Sequence, residues 1–379
     1  MRILLLLLGC SVLARSRATS FDISYVNVPA DAQVAVQAAA DIWSGIVVSA
    51  VPIKVQVTWA PLFGTALGIT LPNGRRDFPG APLGQTWYAA ALANSIAGNE
   101  LDPGENDFDV FLDATANWYT GLDGMPGAAQ YDLVTITLHE FGHGLGFVGL
   151  SKKEGTMGSL GTLQAVDFAP LVTSFPWPDL DTLPSIFDRF LDQQQDGPFA
   201  LMDNPGIQLG AAMTSNQVYF NGPLAMAGNG GAAPRIFAPS AFALGSSCVH
   251  LNESTYPNSN VNELMTPYSS MGHANQWPGP ICIAMLQDIG WTIAPDVGIH
   301  GTAPLAAATI YPDPATDVVH LATPAPLIAP RIRVIDLGGR EVVAARSGTE
   351  TDVASLSAGT YILELRSEGR SVHVPFIKR

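Results

Sequence analysis

His139-Glu140-Phe141-Gly142-His143-Gly144-Leu145-Gly146-Phe147 is the segment around which the rest of the chain is organised. On a helix, residues four apart stand one turn above each other on the same face, so the imidazoles of His139 and His143 can reach one metal ion. Glu140 projects beside that point, where a carboxylate can take a proton from a water activated by the metal. The flanking residues predict a helix over 131–146. Val134, Leu138, Phe141 and Leu145 recur at helical spacing and form the core face, while Thr135, His139, Gly142, His143 and Gly146 form the other. Glycines on that second face let backbone or substrate approach closely. A lone helical histidine is usually structural or solvated. Two of them four apart, with a glutamate between and off the core face, point to metal chemistry.

A catalytic zinc keeps three protein ligands and an open position, so a third ligand must come from elsewhere. His-Glu-x-x-His is the zinc-protease pattern. One group of these enzymes takes a downstream glutamate, and Glu154 is the only one nearby. The metzincins instead extend the motif to a glycine and a third histidine. Gly146 matches that glycine, but Gly149 stands where the histidine would be. The chain resembles the leishmanolysin-like branch of the metzincins, in which an insertion separates the glycine from the third histidine. Glu263-Leu264-Met265-Thr266-Pro267 matches that family's methionine turn, His250 lies just upstream, and Gln287-Asp288-Ile289-Gly290-Trp291 fits the helix that follows. The resemblance spans residues 20–298 in outline, with its specific motifs confined to the helix and to 248–291.

The resemblance implies His139, His143 and His250 as ligands of one zinc ion, Glu140 as general base, Met265 as the floor under the metal, and Gly146 as a structural residue near the site. It implies an α+β metzincin-like domain, a twisted sheet plus the active-site helix, that hydrolyses peptide bonds. His273, in a Gly-rich loop, is the rival third ligand. Some metzincins steady the oxyanion with a tyrosine near the methionine turn. Tyr268 follows Met265 by an unusual spacing and is read first as a packed structural residue, with the oxyanion role as the alternative. Competing functions are a secreted adhesin or binding protein that keeps the fold without catalysis, and a zinc hydrolase of a non-peptide amide.

Upstream of the motif, Phe21 to Val28 alternates like a strand. A helix capped by Asp31, with Val34, Ala38, Ala39 and Ile42 on one face, and a buried strand from Val51 to Trp59 follow. Gly84 to Ala91 and Phe108 to Leu112 read as short strands. The loop Asp102-Pro103-Gly104-Glu105-Asn106-Asp107 carries carboxylates without the ligand order of a calcium loop, so a solvated turn is expected rather than structural calcium. Residues 150–247 are Pro-, Gly- and Asn-rich, with weak helical signal from Ile186 to Gln193, and correspond to the insertion. Gly228-Asn229-Gly230-Gly231 is a turn. Pro280 to Ile289 reads as a helix with Gly290 as its C-cap.

The net charge of −15 and the lack of a basic patch exclude a nucleic-acid surface. Arg2 and the apolar run Ile3 to Leu8, with cleavage points after Ala14 or Ala18, read as a secretion signal over 1–18; Cys10 sits in a faint lipoprotein box. No other stretch has the roughly 20 apolar residues of a membrane span. Cys248 and Cys282 then remain, and two cysteines in an exported chain predict one disulfide. Such a bridge would tie the His250 segment to the helix after the methionine turn and contribute about 2–4 kcal/mol.

An Ala/Thr/Pro-rich linker over 299–308 separates the domain over 19–298 from a small all-β, Ig-like sandwich over 309–379. Ile310-Tyr311-Pro312-Asp313-Pro314, Val334-Ile335-Asp336-Leu337-Gly338-Gly339-Arg340 and Leu356-Ser357-Ala358-Gly359-Thr360-Tyr361 resemble the C-terminal sorting domains of the type IX secretion system. That resemblance implies the secretion machinery as a partner and passage across a bacterial outer membrane. The expected protein is a secreted monomer acting on protein or peptide substrates. His300, His320 and His373 are read as incidental.

Overall fold

The computed structural model describes residues 19–178, 180–294, 309–322, 331–336, 340–367 and 370–379. The signal over 1–18 with Cys10, the linker over 299–308 with His300, and Gly338-Gly339 lie outside the described residues. No described helix is long and apolar enough to cross a membrane.

The N-terminal part is built on a four-stranded sheet. Strands β1 (Phe21–Val26), β2 (Ile53–Ala60) and β4 (Phe108–Asp113) run parallel, and β3 (Gly68–Pro72) closes one edge antiparallel to β4, in the order β1-β2-β4-β3. Alternating burial in β2, with Ile53, Val55 and Val57 inward, sets its register against the helices. Helices α1 (Ala30–Ser44) and α3 (Leu133–Gly144) pack on each other over this sheet, with α2 (Ala90–Ala97) between β3 and β4 in sequence. Phe141 of α3 stacks on Phe21 of β1 at 5.6 Å and meets Phe108 of β4 edge-on at 5.4 Å. One helical turn is thereby fastened to two strands of the sheet.

Several expectations need correction. The buried face of α1 is Ala32, Ala35, Val36, Ala39, Ala40 and Trp43, whereas Val34 is largely exposed. Trp43 sets this rotation, because its indole N–H donates to the Leu138 carbonyl of α3 at 2.9 Å. A buried indole must find an acceptor, and small alanines beside it allow the close approach. Asp31 is not a cap; it lies in the first turn beyond Pro29 and accepts from Thr120. Strand character in 84–91 is limited to Trp87–Ala89, and α2 begins at once. In the 102–107 loop Asp102 and Glu105 pair with Arg75 at 3.4 and 3.0 Å, whereas Asp107 is buried and accepts from the Lys54 N–H and the Asn94 amide, so the loop is only partly a solvated turn.

The 150–247 segment folds as a unit against this body. It contains a hairpin (Ser151–Glu154 with Met157–Leu160) and a four-stranded sheet of very short strands, centred on Leu191–Gln193 and Val218–Phe220. The helix expected from Ile186 is replaced by a 3-10 turn, Asp188–Phe190, running into the Leu191–Gln193 strand. Buried Asp188 imposes that turn. Its Oδ2 accepts from the backbone N–H groups of Ser185 and Leu150 and from the Ser185 hydroxyl, all at 2.8–2.9 Å. Helix α4 (Gly279–Ile289) is buried along most of its length, and the Trp291 indole that follows it donates to the Leu145 carbonyl at 2.6 Å.

The 309–379 segment has its own core of Val319, Leu321, Ile332, Val334, Leu363, Leu365 and Phe376, enclosed by two antiparallel sheets. One has three strands (Thr309–Tyr311, Val318–Ala322, Glu350–Asp352) and the other four (Arg331–Asp336, Glu341–Ser347, Gly359–Ser367, Arg370–Lys378). His320 stacks on Tyr311 and pairs with Glu350 there.

Candidate metal centre

Helix α3 starts because the Asp132 carboxylate accepts from the Thr135 N–H at 2.9 Å, an N-cap that satisfies one of the free donors of the first turn. It ends at Gly146, whose φ of +110° is open to glycine and strained for any side chain. That reversal brings the Phe147 carbonyl back to Nδ1 of His143, 2.7 Å away. Gly146 therefore orients a histidine as well as ending the helix.

The fold brings His139, His143 and His250 together. Their Nε2 atoms are separated by 3.0 Å (139–143), 3.2 Å (143–250) and 3.3 Å (139–250). Each Nδ1 lies against a backbone carbonyl: Leu264 at 2.6 Å for His139, Phe147 at 2.7 Å for His143 and Ser246 at 2.9 Å for His250. A carbonyl can only accept, so each Nδ1 carries the hydrogen and each Nε2 presents a lone pair. Three lone pairs converging on one buried point repel unless a cation stands between them. Three nitrogens at about 2.05 Å from a tetrahedral zinc would lie roughly 3.3 Å apart, so the triad fits zinc in both chemistry and span. The carbonyl partners are the outer hydrogen bonds that fix the tautomer of a ligating histidine. Burial also depresses all three imidazole pKa values; for His143, with His139 beside it, the value falls to about 3. Neutral rings are the form that binds a metal.

Glu140 is buried on the same helix. Its Oε2 accepts from the Thr70 hydroxyl of β3 at 2.6 Å. Gly68 on that strand makes room for it, since a Cβ there would stand 2.4 Å from Oε1 of Glu140. Burial raises the carboxyl to about 7, and the Thr70 bond only partly offsets this. Met265 is fully buried beneath the helix, and a Cβ on Gly142 would lie 2.8 Å from its sulfur.

His250 is held by backbone rather than by a disulfide. Cys248 and Cys282 are both buried free thiols, so the expected bridge is absent. Main-chain bonds do that work. Phe237 N–H donates to the His250 carbonyl, Cys248 N–H to the Phe237 carbonyl and Leu251 N–H to the Met265 carbonyl, each at 2.8 Å. These ladders join the His250 segment to the insert on one side and to the turn at Met265 on the other. Gly149 holds no ligand. A Cβ there would fall 2.5 Å from Oδ1 of Asp188, so the chain at 149 is pressed onto the carboxylate that pins the insert.

His273 is not part of the triad; its Nε2 lies 2.7 Å from Oε1 of Glu263. Tyr268 is 62% exposed at the mouth of the site and meets Phe237 edge-on, so it is not a packed structural residue. Glu154 is exposed and paired with Lys152, away from the histidines. Thr70, Gly68, Asp188 and Glu263 escaped the sequence reading of the site. Thr70 and Gly68 lie on a strand too short and irregular to predict, and Asp188 on a segment read as helix.

The triad and Glu140 open into a cleft of about 690 Å³. Its lining includes Ile69 and Leu71 of β3 with Leu67 just before it, and Leu163, Phe168, Leu171 and Phe175 of the insert. Phe168 and Phe175 stack at 5.6 Å, and Trp177 is seated on Gly74 and against Trp87 at 5.8 Å.

Residues 309–379 match the family model described as the secretion system C-terminal sorting domain. No curated protein matches the chain. The tail marks the protein for export by the type IX machinery to the outer membrane and cell surface.

Proposed function

We propose that the exported protein is a zinc endopeptidase of the metzincin type, with His139, His143 and His250 as the metal ligands. The convergence of three Nε2 lone pairs, each enforced by a carbonyl on Nδ1, carries this reading. The general base beside them and the methionine beneath support it.

A zinc ion in this triad would supply Lewis acidity, polarising a carbonyl and making water a nucleophile near neutral pH. The chain's own residues do the rest. Glu140 takes a proton from the attacking water and returns it to the leaving amine. Thr70 holds Oε2, which leaves Oε1 for the water. Strand β3 is the edge of its sheet and lines the cleft, so an extended peptide can add to it by main-chain hydrogen bonds. The apolar insert wall gives side chains of that peptide somewhere to bury.

The test is cleavage of an unfolded protein substrate by wild type and Glu140→Ala, with and without a chelator. Wild-type cleavage that a chelator stops, zinc restores and Glu140→Ala lacks is the expected pattern. Equal activity of wild type and Glu140→Ala, or no cleavage by zinc-loaded wild type, overturns it in favour of a binding protein.

A further inference from the structure

We propose that His273 is a catalytic residue of this site, donating a hydrogen bond from Nδ1 to the scissile carbonyl oxygen as negative charge builds there. The inference rests on the peptidase reading and adds a residue to it.

His273 lines the same cleft as the three histidines and Glu140. Its Nε2 is engaged by Glu263, while Nδ1 has no hydrogen-bond partner among the described residues. The ring is partly exposed, at 28%, whereas the Glu263 side chain is buried, at 8%. Glu263 is itself fixed: Ser259 N–H donates to its carboxylate, and its own N–H donates to the Asn260 carbonyl at 3.0 Å. The next residue, Leu264, gives its carbonyl to Nδ1 of His139. On either side of His273 the loop is tied to the approach and start of the active-site helix. Gly272 N–H donates to the Gln130 carbonyl, and Asn275 N–H to the hydroxyl of Thr135, one turn before His139 on the same face, both at 2.8 Å. A ring held this way, with Nε2 anchored on a carboxylate and Nδ1 unpaired, is an oriented group rather than a solvated surface histidine; Nδ1 is an acceptor in the neutral ring and a donor in the imidazolium.

In its protonated form the ring carries N–H on both nitrogens. As the water oxygen bonds to the carbonyl carbon, the C=O π pair moves to oxygen and the water proton goes to Glu140. Nδ1–H of His273 steadies the resulting oxyanion and keeps its proton. When the C–N bond breaks, the oxyanion pair re-forms C=O, and Glu140 delivers its proton to the departing nitrogen. Negative charge on that oxygen is largest at the tetrahedral stage, so the donor acts mainly on kcat.

The experiment compares zinc-loaded wild type, His273→Ala, His273→Gln and Glu140→Ala on one peptide substrate. Zinc content and the affinity of a phosphinic peptide, whose tetrahedral anion mimics the charged stage, are measured alongside. Both His273 variants are expected to lose roughly a hundredfold in kcat with KM nearly unchanged, and to bind the phosphinic peptide correspondingly more weakly. Both are expected to retain full zinc. Wild-type kcat in a folded His273 variant, or a loss of activity that merely tracks loss of zinc, overturns the assignment. If Glu140→Ala is inactive while the His273 variants are not, only the His273 assignment fails; if Glu140→Ala is as active as wild type, the peptidase reading fails with it.

Discussion

The hydroxyl of Thr70 donates to the carboxylate of Glu140 at 2.6 Å, joining an edge strand to helix α3 across 70 residues of sequence. A hydrogen bond to a charged group contributes about 1.5–3 kcal/mol, and here it aims the carboxylate as well. Thr70→Val keeps the shape and removes the donor. It should lower kcat at least about tenfold with zinc content unchanged. Steady-state kinetics with metal analysis checks this, and an unaltered kcat would remove Thr70 from the machinery.

Gly68 faces the same carboxylate. A Cβ there meets Oε1 at 2.4 Å, so Gly68→Ala must displace Glu140 or the strand. The loss of kcat should exceed that of Thr70→Val while thermal stability drops only modestly. A variant as active as wild type would mean that the carboxylate is not held where the fold puts it.

Zinc stoichiometry separates the two candidate third ligands. His250→Ala should bind zinc at least a hundredfold more weakly, since two imidazoles remain of three. His273→Ala should bind it like wild type. Inverting these two results would reassign the site.

The insert wall should govern substrate affinity. Phe175 is half-buried in the cleft and stacked on Phe168, so Phe175→Ala removes an apolar contact available to the substrate before and during reaction alike. On substrates with large apolar side chains KM should rise roughly tenfold with kcat little changed, and on small or charged side chains neither should move. An equal effect on all substrates would count against the wall.

Asp188 makes stability depend on pH. Burial raises its carboxyl to about 6, above the ordinary value of 3.8 that applies in the unfolded chain. The folded protein therefore holds this proton more tightly. The stability this provides is fully present below about pH 4 and is lost as pH rises through about 6. The amount is on the order of 1–3 kcal/mol. Denaturant melts across that window should show the decline from this group in wild type, and Asp188→Asn, which does not ionise, should lack that component. Identical pH profiles would place the ionisation elsewhere.

The motif on α3 was legible because helical periodicity is local: which residues share a face with His139 follows from spacing alone. The same holds for the apolar face and for Gly290 ending α4. The 309–379 tail was legible for a related reason, since its motifs and strand alternation lie within short stretches. Cysteine count was a poor guide, because a count carries no geometry. Cys248 and Cys282 are buried free thiols, and ladders from Phe237 and Met265 hold His250 instead.

Sequence by itself determined the two helical histidines, the glutamate between them, and the order in which His250 and Met265 follow. Packing supplied the rest: that three Nε2 atoms meet within 3.0–3.3 Å, that Thr70 and Gly68 frame Glu140, and that Glu263 holds Nε2 of His273. Apart from His139 with His143, those relations span from ten residues to more than a hundred, and the spacing along the chain does not reveal them. They arise when a buried polar group must find a complementary one, and only the packed fold says which one is within reach.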